Sequence, residues 1–507
     1  MATERIKRLT LIAAILGSAI TLLDSTIVSV ALPTIQRSLG GGLAGQQWVS
    51  SAYLLTLGSL ILVGGSLGDI FGERRVFALG VVGFGLASLL CATAPSIGLL
   101  AAARALQGIT GALLTPSSLA VIVATFPEQE RGAAIGTWTA FGAIATVIGP
   151  LAGGELLALA SWRWLFLINL PFVAACLALI RMAIPRAPGR TLGRRRVDLA
   201  GALLCAAGLA GVVFALIEAP RLGWRAPEII VSLLGGAVLF GGFLLRERLA
   251  RDPMLPLSLF RRRNFAAANV ETLAVYAALG AFFFFLVLFL QQVADYSPLR
   301  SGLALFPITV VMFALSRGVG RLSARFGARL FMSVGPLLGS AGLLLGLRIG
   351  RNPGYVSELL PTVGIFALGL VLTVAPLTTT VLAGVEAGRA GIASAVNNAI
   401  ARVAGLLATA GIGAIVAAHF GASLHARLGG VVLGHHAREV IDAAQRLVLG
   451  RPSVAGLPGA AARAILHAAD AASLSSFHLG IVIAAGLLAL GGLIGLAGIR
   501  TPPAPAS

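Results

Sequence analysis

Fourteen stretches of mostly apolar residues divide the 507-residue sequence, and each is long enough to cross a lipid bilayer as a helix. A bilayer core about 30 Å thick takes roughly 20 helical residues per crossing. The spans are predicted near 10–31, 48–67, 76–94, 98–119, 133–157, 164–184, 198–218, 228–245, 266–290, 301–319, 330–347, 359–384, 391–418 and 477–499. Helical spans satisfy their own backbone hydrogen bonds inside lipid. The pattern therefore predicts an all-α integral membrane protein.

The composition excludes several other classes of protein. Apolar residues make up 57% of the chain and charged residues 11%, which a water-soluble enzyme or a disordered chain could not hide from water. The single lysine, Lys7, lies in no phosphate-binding GxxxxGK[ST] loop, so the chain does not hydrolyse ATP through such a loop. Three cysteines in apolar stretches and six histidines form no compact ligand spacing. We therefore expect no cofactor and no metal.

The net charge of +19 is explained by the sides of the membrane on which the basic residues lie. With a cytoplasmic N-terminus, cytoplasmic segments hold 24 basic residues and external segments hold 12, five of them in one long loop. Long loops carry little weight in this rule, so the comparison is 24 against 7. Both termini are predicted to be cytoplasmic, and the charge does not call for a nucleic-acid partner.

Two similar glycine- and arginine-containing loops occur at equivalent places in the chain. The first runs from Gly65 through Asp69 and Gly72 to Arg75, and the second from Gly320 to Arg329, with Ala324 where the first has Asp69. Loops of the same spacing, one after the second span and one after the tenth, indicate an internal repeat.

Several motifs in a fixed order resemble those of one transporter family. They are Leu23–Pro33 in the first span, Arg104–Gly108 in the fourth, Gly149–Gly154 in the fifth, Trp162–Pro171 at the start of the sixth, and Gly391–Asn398 in the thirteenth. Together they are similar to the major facilitator superfamily, specifically its fourteen-span drug:proton antiporter branch. The resemblance covers nearly the whole chain. Departures are Ser29, where asparagine is common, and the acid missing from the second loop.

The resemblance implies a fold and an activity. It implies two six-helix bundles plus two extra central helices. The segments are a cytoplasmic N-terminus 1–9, a bundle 10–184, a linker 185–263 with the accessory helices, a bundle 264–499 with an external loop 420–476, and a cytoplasmic tail 500–507. The implied activity is the export of drug-like or amphiphilic small molecules in exchange for protons, by a monomer in the bacterial inner membrane. One alternative is a dedicated exporter of a single endogenous metabolite or antibiotic. A non-transporting sensor and a membrane enzyme are further alternatives.

Charged residues inside spans are the strongest site candidates, because a buried ion costs several kcal/mol unless it is paired or hydrated. Asp24 and Arg104 lie at matching depths, about 10 Å from the external face. We expect both to face a cavity in the N-terminal bundle, where Asp24 binds protons or a cationic substrate and Arg104 tunes its proton affinity. The alternative is a permanent ion pair that locks two helices. Glu271 is a second candidate for proton coupling, although its side chain could instead reach water.

Polar and aromatic residues within the spans are candidates for lining a substrate cavity. They are Trp48, Tyr53, Gln107, Trp138, Phe141, Asn397 and Asn398. Anchoring at the membrane interface is the alternative for Trp48, and contact between helices is the alternative for the two asparagines. The run Phe282–Phe285 is expected to face lipid.

The remaining candidates control conformational change. By resemblance, Asp69, Arg74 and Arg131 form a cytoplasmic charge cluster that stabilises the outward-facing state, next to Gly65 and Gly72.

In the fifth span, the glycines and the proline allow close approach of a neighbouring helix and a bend. These residues are Gly149, Pro150, Gly153 and Gly154. The resemblance implies that this region prevents proton leakage.

Overall fold

The structure is a computed structural model that describes residues 4–184, 198–250, 253–382, 390–428 and 435–500. Within these ranges every regular element is helical, and no strand occurs. Side chains at a few helical positions, among them Asp69, lie outside the description. The predicted all-α membrane fold is confirmed.

The N-terminal part of the chain forms nine helices in the described ranges. They are α1 Glu4–Leu39, α2 Gly42–Phe71, α3 Glu73–Thr93, α4 Ile97–Thr125, α5 Glu128–Leu159, α6 Trp164–Leu167, α7 Asn169–Ala183, α8 Leu199–Leu222 and α9 Pro227–Leu249. Helix α4 begins at a serine cap, where Ser96 accepts a hydrogen bond from the backbone N–H of Leu99.

The C-terminal part adds seven helices to the described chain. They are α10 Arg263–Gln292, α11 Pro298–Phe326, α12 Ala328–Leu345, α13 Leu360–Leu382, α14 Ala390–Leu428, α15 His435–Arg446 and α16 Gly459–Gly498. Helix α16 has 40 residues. It contains both residues 459–476 of the predicted external loop and the last span, so among the described residues of that loop α15 is the one separate helix.

Each of the fourteen predicted spans coincides with a helix, the sixth with α6 and α7 together. Among the described residues, thirteen helical segments are long and apolar enough to cross a membrane. The predicted fifth span is α5, a helix of 32 residues. Its described apolar part is Ile148–Leu159, because several side chains before it lie outside the description.

The chain divides into two compact units. Unit 1 comprises Met1–Gly40, Gly45–Val212 and Val231–Pro256, and unit 2 comprises Gly41–Ala44, Val213–Ile230 and Leu257–Ser507. Residues of the accessory helices α8 and α9 are assigned partly to each unit, and the predicted linker 185–263 stays a prediction.

Unit 1 is built around α1, which packs against α4, α5 and α7. Its apolar core includes Ile20, Phe77, Phe84, Leu114 and Cys176, all almost completely buried. Burying a side chain of this size contributes about 1.5–3 kcal/mol. The polar side chains described below are buried in the same unit.

Unit 2 is built around α10, which packs against α13, α14 and α16. Phe289 of α10 stacks on Phe477 of α16 with ring centroids 4.1 Å apart. Phe282, Phe284 and Phe285 are buried in the same packing. The prediction that this phenylalanine run faces lipid is therefore wrong, because α10 is surrounded by three helices.

The turns after α2 and after α11 share one backbone conformation. Gly72 has φ 91° and Gly327 has φ 87°, values that L-residues with a side chain rarely adopt. The two turns occupy the two loops that the sequence analysis identifies as copies of one repeat.

Candidate functional site

The centre of unit 1 holds an ion pair between Asp24 of α1 and Arg104 of α4. Asp24 is 0% exposed and Arg104 is 1% exposed. A nitrogen of the Arg104 guanidinium, Nη1, donates to Asp24 Oδ2. The two residues predicted to lie at matching depth are in direct contact, as in the ion-pair alternative, and their facing a cavity stays a proposal.

Two amides complete the hydrogen bonding of the Asp24 carboxylate. Gln107 Nε2 donates to Asp24 Oδ1 over 3.1 Å, and Asn169 Nδ2 donates to the same oxygen over 2.9 Å. Both amides also donate to Ser88 Oγ of α3, at 2.9 Å and 3.2 Å. The Asp24 carboxylate therefore accepts hydrogen bonds from side chains of α4 and α7 and is fully buried.

Arg104 is held by groups other than the carboxylate. Its Nε donates to the backbone carbonyl of Val49 over 3.1 Å, and Nη1 donates to Gln107 Oε1 over 2.7 Å. The guanidinium carbon lies 4.3 Å from the ring centroid of Tyr53, a cation–π distance. The Tyr53 hydroxyl donates to the carbonyl of Thr21. Helix α2 therefore fixes the position of Arg104 through its backbone and an aromatic ring.

This Asp24 cluster, comprising Asp24, Ser88, Arg104, Gln107 and Asn169, contains one negative and one positive charge. Removing one partner of a buried ion pair typically costs about 3–5 kcal/mol, because the other charge stays buried without compensation. Each of the two buried charges is therefore compensated by the other.

Three further cavity candidates of unit 1 are Trp138, Trp48 and Phe141. Trp138 Nε1 donates to Ser18 Oγ over 2.8 Å, which ties α5 to α1. Trp48 is half-buried. Phe141 is 48% exposed. Tyr53 and Gln107 belong to the environment of the ion pair, and lining of a cavity by any of these residues stays a proposal.

The predicted glycine- and proline-rich segment of α5 lies against α1. A Cβ atom at Gly149 would overlap Thr26 Oγ1, and one at Gly153 would lie 3.2 Å from Ile27 Cγ2. Gly154 is buried, and Pro150 lies inside the helix. The absence of side chains lets the two helices approach closely.

The predicted cytoplasmic charge cluster is only partly described. The side chain of Asp69 lies outside the described residues, so its pairing with Arg74 and Arg131 stays a prediction. Arg131 Nε donates to the carbonyl of Phe126 over 2.9 Å. Arg74 is half-buried in the first turn of α3, and Gly65 lies near Pro116 of α4.

Unit 2 holds the remaining predicted residues. Asn397 Nδ2 donates to Asn269 Oδ1 over 3.1 Å and to Thr272 Oγ1 over 2.7 Å, which links α14 to α10. Asn398 is exposed and donates to the carbonyl of Ser394 in its own helix. Glu271 of α10 is completely buried. The Glu271 carboxyl group takes no part in the hydrogen bonds that join Asn397 to α10.

Ser88 and Asn169 are not among the residues predicted for the site. Asn169 lies within the Trp162–Pro171 motif, and Ser88 interrupts an apolar span as a small polar residue. Both residues could be recognised in the sequence as candidates, because a polar side chain inside a membrane span needs a hydrogen-bonding partner. The identity of that partner depends on how α3 and α7 pack, which the sequence does not give.

The part of the chain that the structure describes contains no group of three or more His, Cys, Asp and Glu side chains that could hold a metal ion. Most polar groups of the Asp24 cluster are paired with one another, whereas Asn169 Oδ1 is buried without a hydrogen-bond partner among the described residues.

Comparison with known proteins identifies the family. Residues 14–409 match the family model of the Major Facilitator Superfamily. The chain belongs to this superfamily. Its relatives in the superfamily include the multidrug resistance protein Stp of Mycobacterium tuberculosis, which is 37% identical over 449 residues, or 88% of this chain and 81% of the relative. The puromycin resistance protein pur8 of Streptomyces alboniger is 37% identical over 436 residues, covering 84% and 86%.

A solved superfamily structure has the same fold. A bacterial homologue of the human lysosomal transporter Spinster, in an inward-facing and unoccupied conformation, aligns with a TM-score of 0.66 and 16% identity. The alignment covers 99% of this chain and 100% of that chain. The chain is thus a multi-pass membrane protein of a transporter family whose curated relatives are named for resistance to drugs and antibiotics.

Replacing Asn169 by Ala is expected to lower thermal stability. The change removes a hydrogen bond to an ionised group, which is worth about 1.5–3 kcal/mol, and leaves a cavity beside Asp24. Asn398→Ala is the matched control, because Asn398 is exposed and bonds only within its own helix. Thermal unfolding of the purified variants in detergent tests the prediction, and equal melting temperatures for both variants would contradict it.

Proposed function

We propose that this protein exports amphiphilic, drug-like molecules from the cytoplasm in exchange for external protons, with Asp24 as the proton carrier. The observation that supports the proposal most strongly is the buried Asp24–Arg104 pair with its balanced charge. A proton, a cationic substrate and Arg104 all compete for one carboxylate. Such competition is what an exchanger requires, since each ligand then displaces another.

The proposed cycle follows from the contacts of the carboxylate. A proton from outside neutralises Asp24, weakens its bond to Arg104 and disfavours a bound cationic group, so substrate is released. When the proton leaves toward the cytoplasm, the carboxylate again attracts a positive charge from Arg104 or from a new substrate molecule. Alternating access of the site to the two sides couples the two fluxes.

The names of the relatives support the cargo class. One relative is called a multidrug resistance protein, and another is named for resistance to the single antibiotic puromycin. The second name keeps the dedicated exporter as the alternative function, with the same fold and coupling but one cargo. We further propose that the protein acts as a monomer in the bacterial inner membrane with both termini inside, as the distribution of basic residues predicts.

Substrate competition separates the two functions. Cells of an efflux-deficient bacterium that produce the protein are loaded with ethidium, and its efflux is followed with and without an excess of chemically unrelated drugs, puromycin among them. A multidrug exporter is expected to extrude ethidium in a protonophore-sensitive way, and unrelated drugs are expected to slow this efflux. Absence of ethidium efflux together with export of one compound alone would favour the dedicated exporter. Export that persists after the protonophore collapses the gradient would contradict proton coupling.

A further inference from the structure

Unit 2 contains a buried carboxyl group that the Asp24 mechanism does not use. Glu271 lies in the third turn of α10 and is 0% exposed. Neither of its carboxyl oxygens has a hydrogen-bond partner among the described residues. Asp24, by contrast, accepts hydrogen bonds from Arg104, Gln107 and Asn169. The two buried acids therefore lie in opposite electrostatic environments.

The Glu271 carboxyl occupies a space that glycines of α16 leave open. A Cβ atom at Gly495 would lie 3.0 Å from Glu271 Oε2 and 2.5 Å from the carbonyl oxygen of Met332 in α12. A Cβ atom at Gly491, one turn away, would lie 3.8 Å from Glu271 Cγ. Helices α10, α12 and α16 therefore meet around this side chain, and the glycines make the contact possible.

Basic residues lie at the start of α10 and of α12, and they are directed elsewhere. Arg263 of α10 donates to the backbone carbonyls of residues 497 and 498, and Arg329 of α12 donates to that of residue 496. These two arginines cap the last turn of α16, beyond Gly495.

The other elements packed against Glu271 add no acidic neighbour. On the other side of Glu271 along α10, Arg402 of α14 is near Tyr276. Helix α13 and the membrane-spanning part of α16 carry no titratable residue within 360–382 and 479–499. The carboxyl group therefore lies against the glycines of α16, without a hydrogen-bond partner among the described residues.

An ionised carboxylate in this position would be a buried charge without a donor. Such a charge costs several kcal/mol or more in a membrane interior, and an acid in this situation takes up a proton instead. We propose that Glu271 is a second proton-binding site, and that its carboxyl is protonated when α10 packs against the glycines of α16. Its part in transport rests on the proposed function, whereas its protonation in this packing does not.

Loss of the proton has a structural consequence. The resulting carboxylate needs water or a basic partner. The space that Gly491 and Gly495 leave open beside Glu271 supplies neither. Ionisation therefore separates α10 from α16 at the end where Arg263 and Arg329 hold the last turn. Glu271 acts as a latch that is closed when protonated and open when ionised.

Infrared spectroscopy of the purified protein tests the protonation directly, because a protonated carboxyl has its own carbonyl absorption band. At neutral pH the wild-type spectrum is expected to contain this band, and Glu271→Gln is expected to lose it. Glu358→Gln is the matched control in the same unit, since Glu358 accepts hydrogen bonds from the backbone N–H groups of Gly350 and Gly354. This control should retain the band. An unchanged band in Glu271→Gln would overturn the proposal.

A second measurement needs no variant. The apolar carbodiimide dicyclohexylcarbodiimide reacts with protonated carboxyl groups, and mass spectrometry locates the adduct. We expect modification of Glu271 in the wild-type protein at neutral pH, decreasing as the pH is raised, with Asp24 and Glu358 unmodified. Absence of an adduct on Glu271 would count against a protonated carboxyl at this position.

Stability against pH tests the latch. The folded protein holds a proton that the unfolded chain has released at neutral pH, so wild-type stability falls as pH rises, by up to about tenfold in the unfolding equilibrium constant per pH unit. Glu271→Gln should remove this part of the dependence, as measured by melting in detergent. A pH dependence equal to that of the wild type would contradict the latch. If the wild-type protein has the infrared band of Glu271 but shows no proton-driven transport, the proposed function alone is contradicted.

Discussion

Replacing Asp24 by Asn is expected to abolish proton-driven export. Asparagine keeps the size of the side chain but cannot bind and release a proton near neutral pH. It also leaves the guanidinium of Arg104 buried without a counter-ion, which typically costs about 3–5 kcal/mol. We therefore expect ethidium efflux at the level of cells without the protein, accompanied by reduced stability.

The double variant Asp24→Asn/Arg104→Gln separates the role in transport from the role in folding. It removes both buried charges, so most of the stability lost in the single variant should return. Transport should stay absent, because no titratable group remains in the Asp24 cluster. Membrane abundance by immunoblot, melting temperature in detergent and ethidium efflux are measured on the same samples. Restored transport in the double variant would mean that Asp24 and Arg104 form only a structural pair.

Replacing Gly149 by Val is expected to reduce transport strongly by disturbing the packing of α5 on α1. A Cβ at this position would overlap Thr26 Oγ1 and would lie 3.4 Å from the carbonyl oxygen of Leu23, one residue from Asp24. The larger side chain forces the two helices apart, and overpacking of this kind typically costs about 1–3 kcal/mol, so we expect efflux to fall by roughly tenfold or more.

Gly136→Val in the same helix is the matched control for this prediction. A Cβ at Gly136 would have no atom within 4 Å, so the control has the same change in helix propensity without the clash. Its efflux is expected to stay close to that of the wild type. Equal losses in the two variants would indicate a general effect on α5 rather than the contact with Thr26.

The fold could be predicted from the sequence because each crossing needs about 20 apolar residues, and a stretch of this length is visible without an alignment. The matching depth of Asp24 and Arg104 could be predicted too, since depth follows from the position of a residue within its span. The role of Asn169 could not, because it depends on the rotation of α7 toward α1. The same limit explains the wrong prediction for Phe282–Phe285, since an apolar face suits lipid and protein equally.

Glu271 illustrates the difference between finding a site and describing it. Its position in a span identifies it as a candidate, and the side chain could then be expected to reach water. The structure shows a fully buried carboxyl between α10 and α16. Neither Gly491 nor Gly495 stands out in a sequence that contains 64 glycines, so the groove is recognisable only from the packing.

The central claim is that substrate and proton movements are exchanged through Asp24, and transport in proteoliposomes tests it most directly. Purified wild-type protein and the Asp24→Asn/Arg104→Gln variant are reconstituted, a pH gradient with an acidic lumen is imposed, and both ethidium uptake and lumenal pH are recorded. We predict that wild-type vesicles accumulate ethidium while protons leave the lumen, that a protonophore abolishes the accumulation, and that vesicles with the variant do neither. Ethidium accumulation by the variant, or wild-type accumulation without proton movement, would contradict the account.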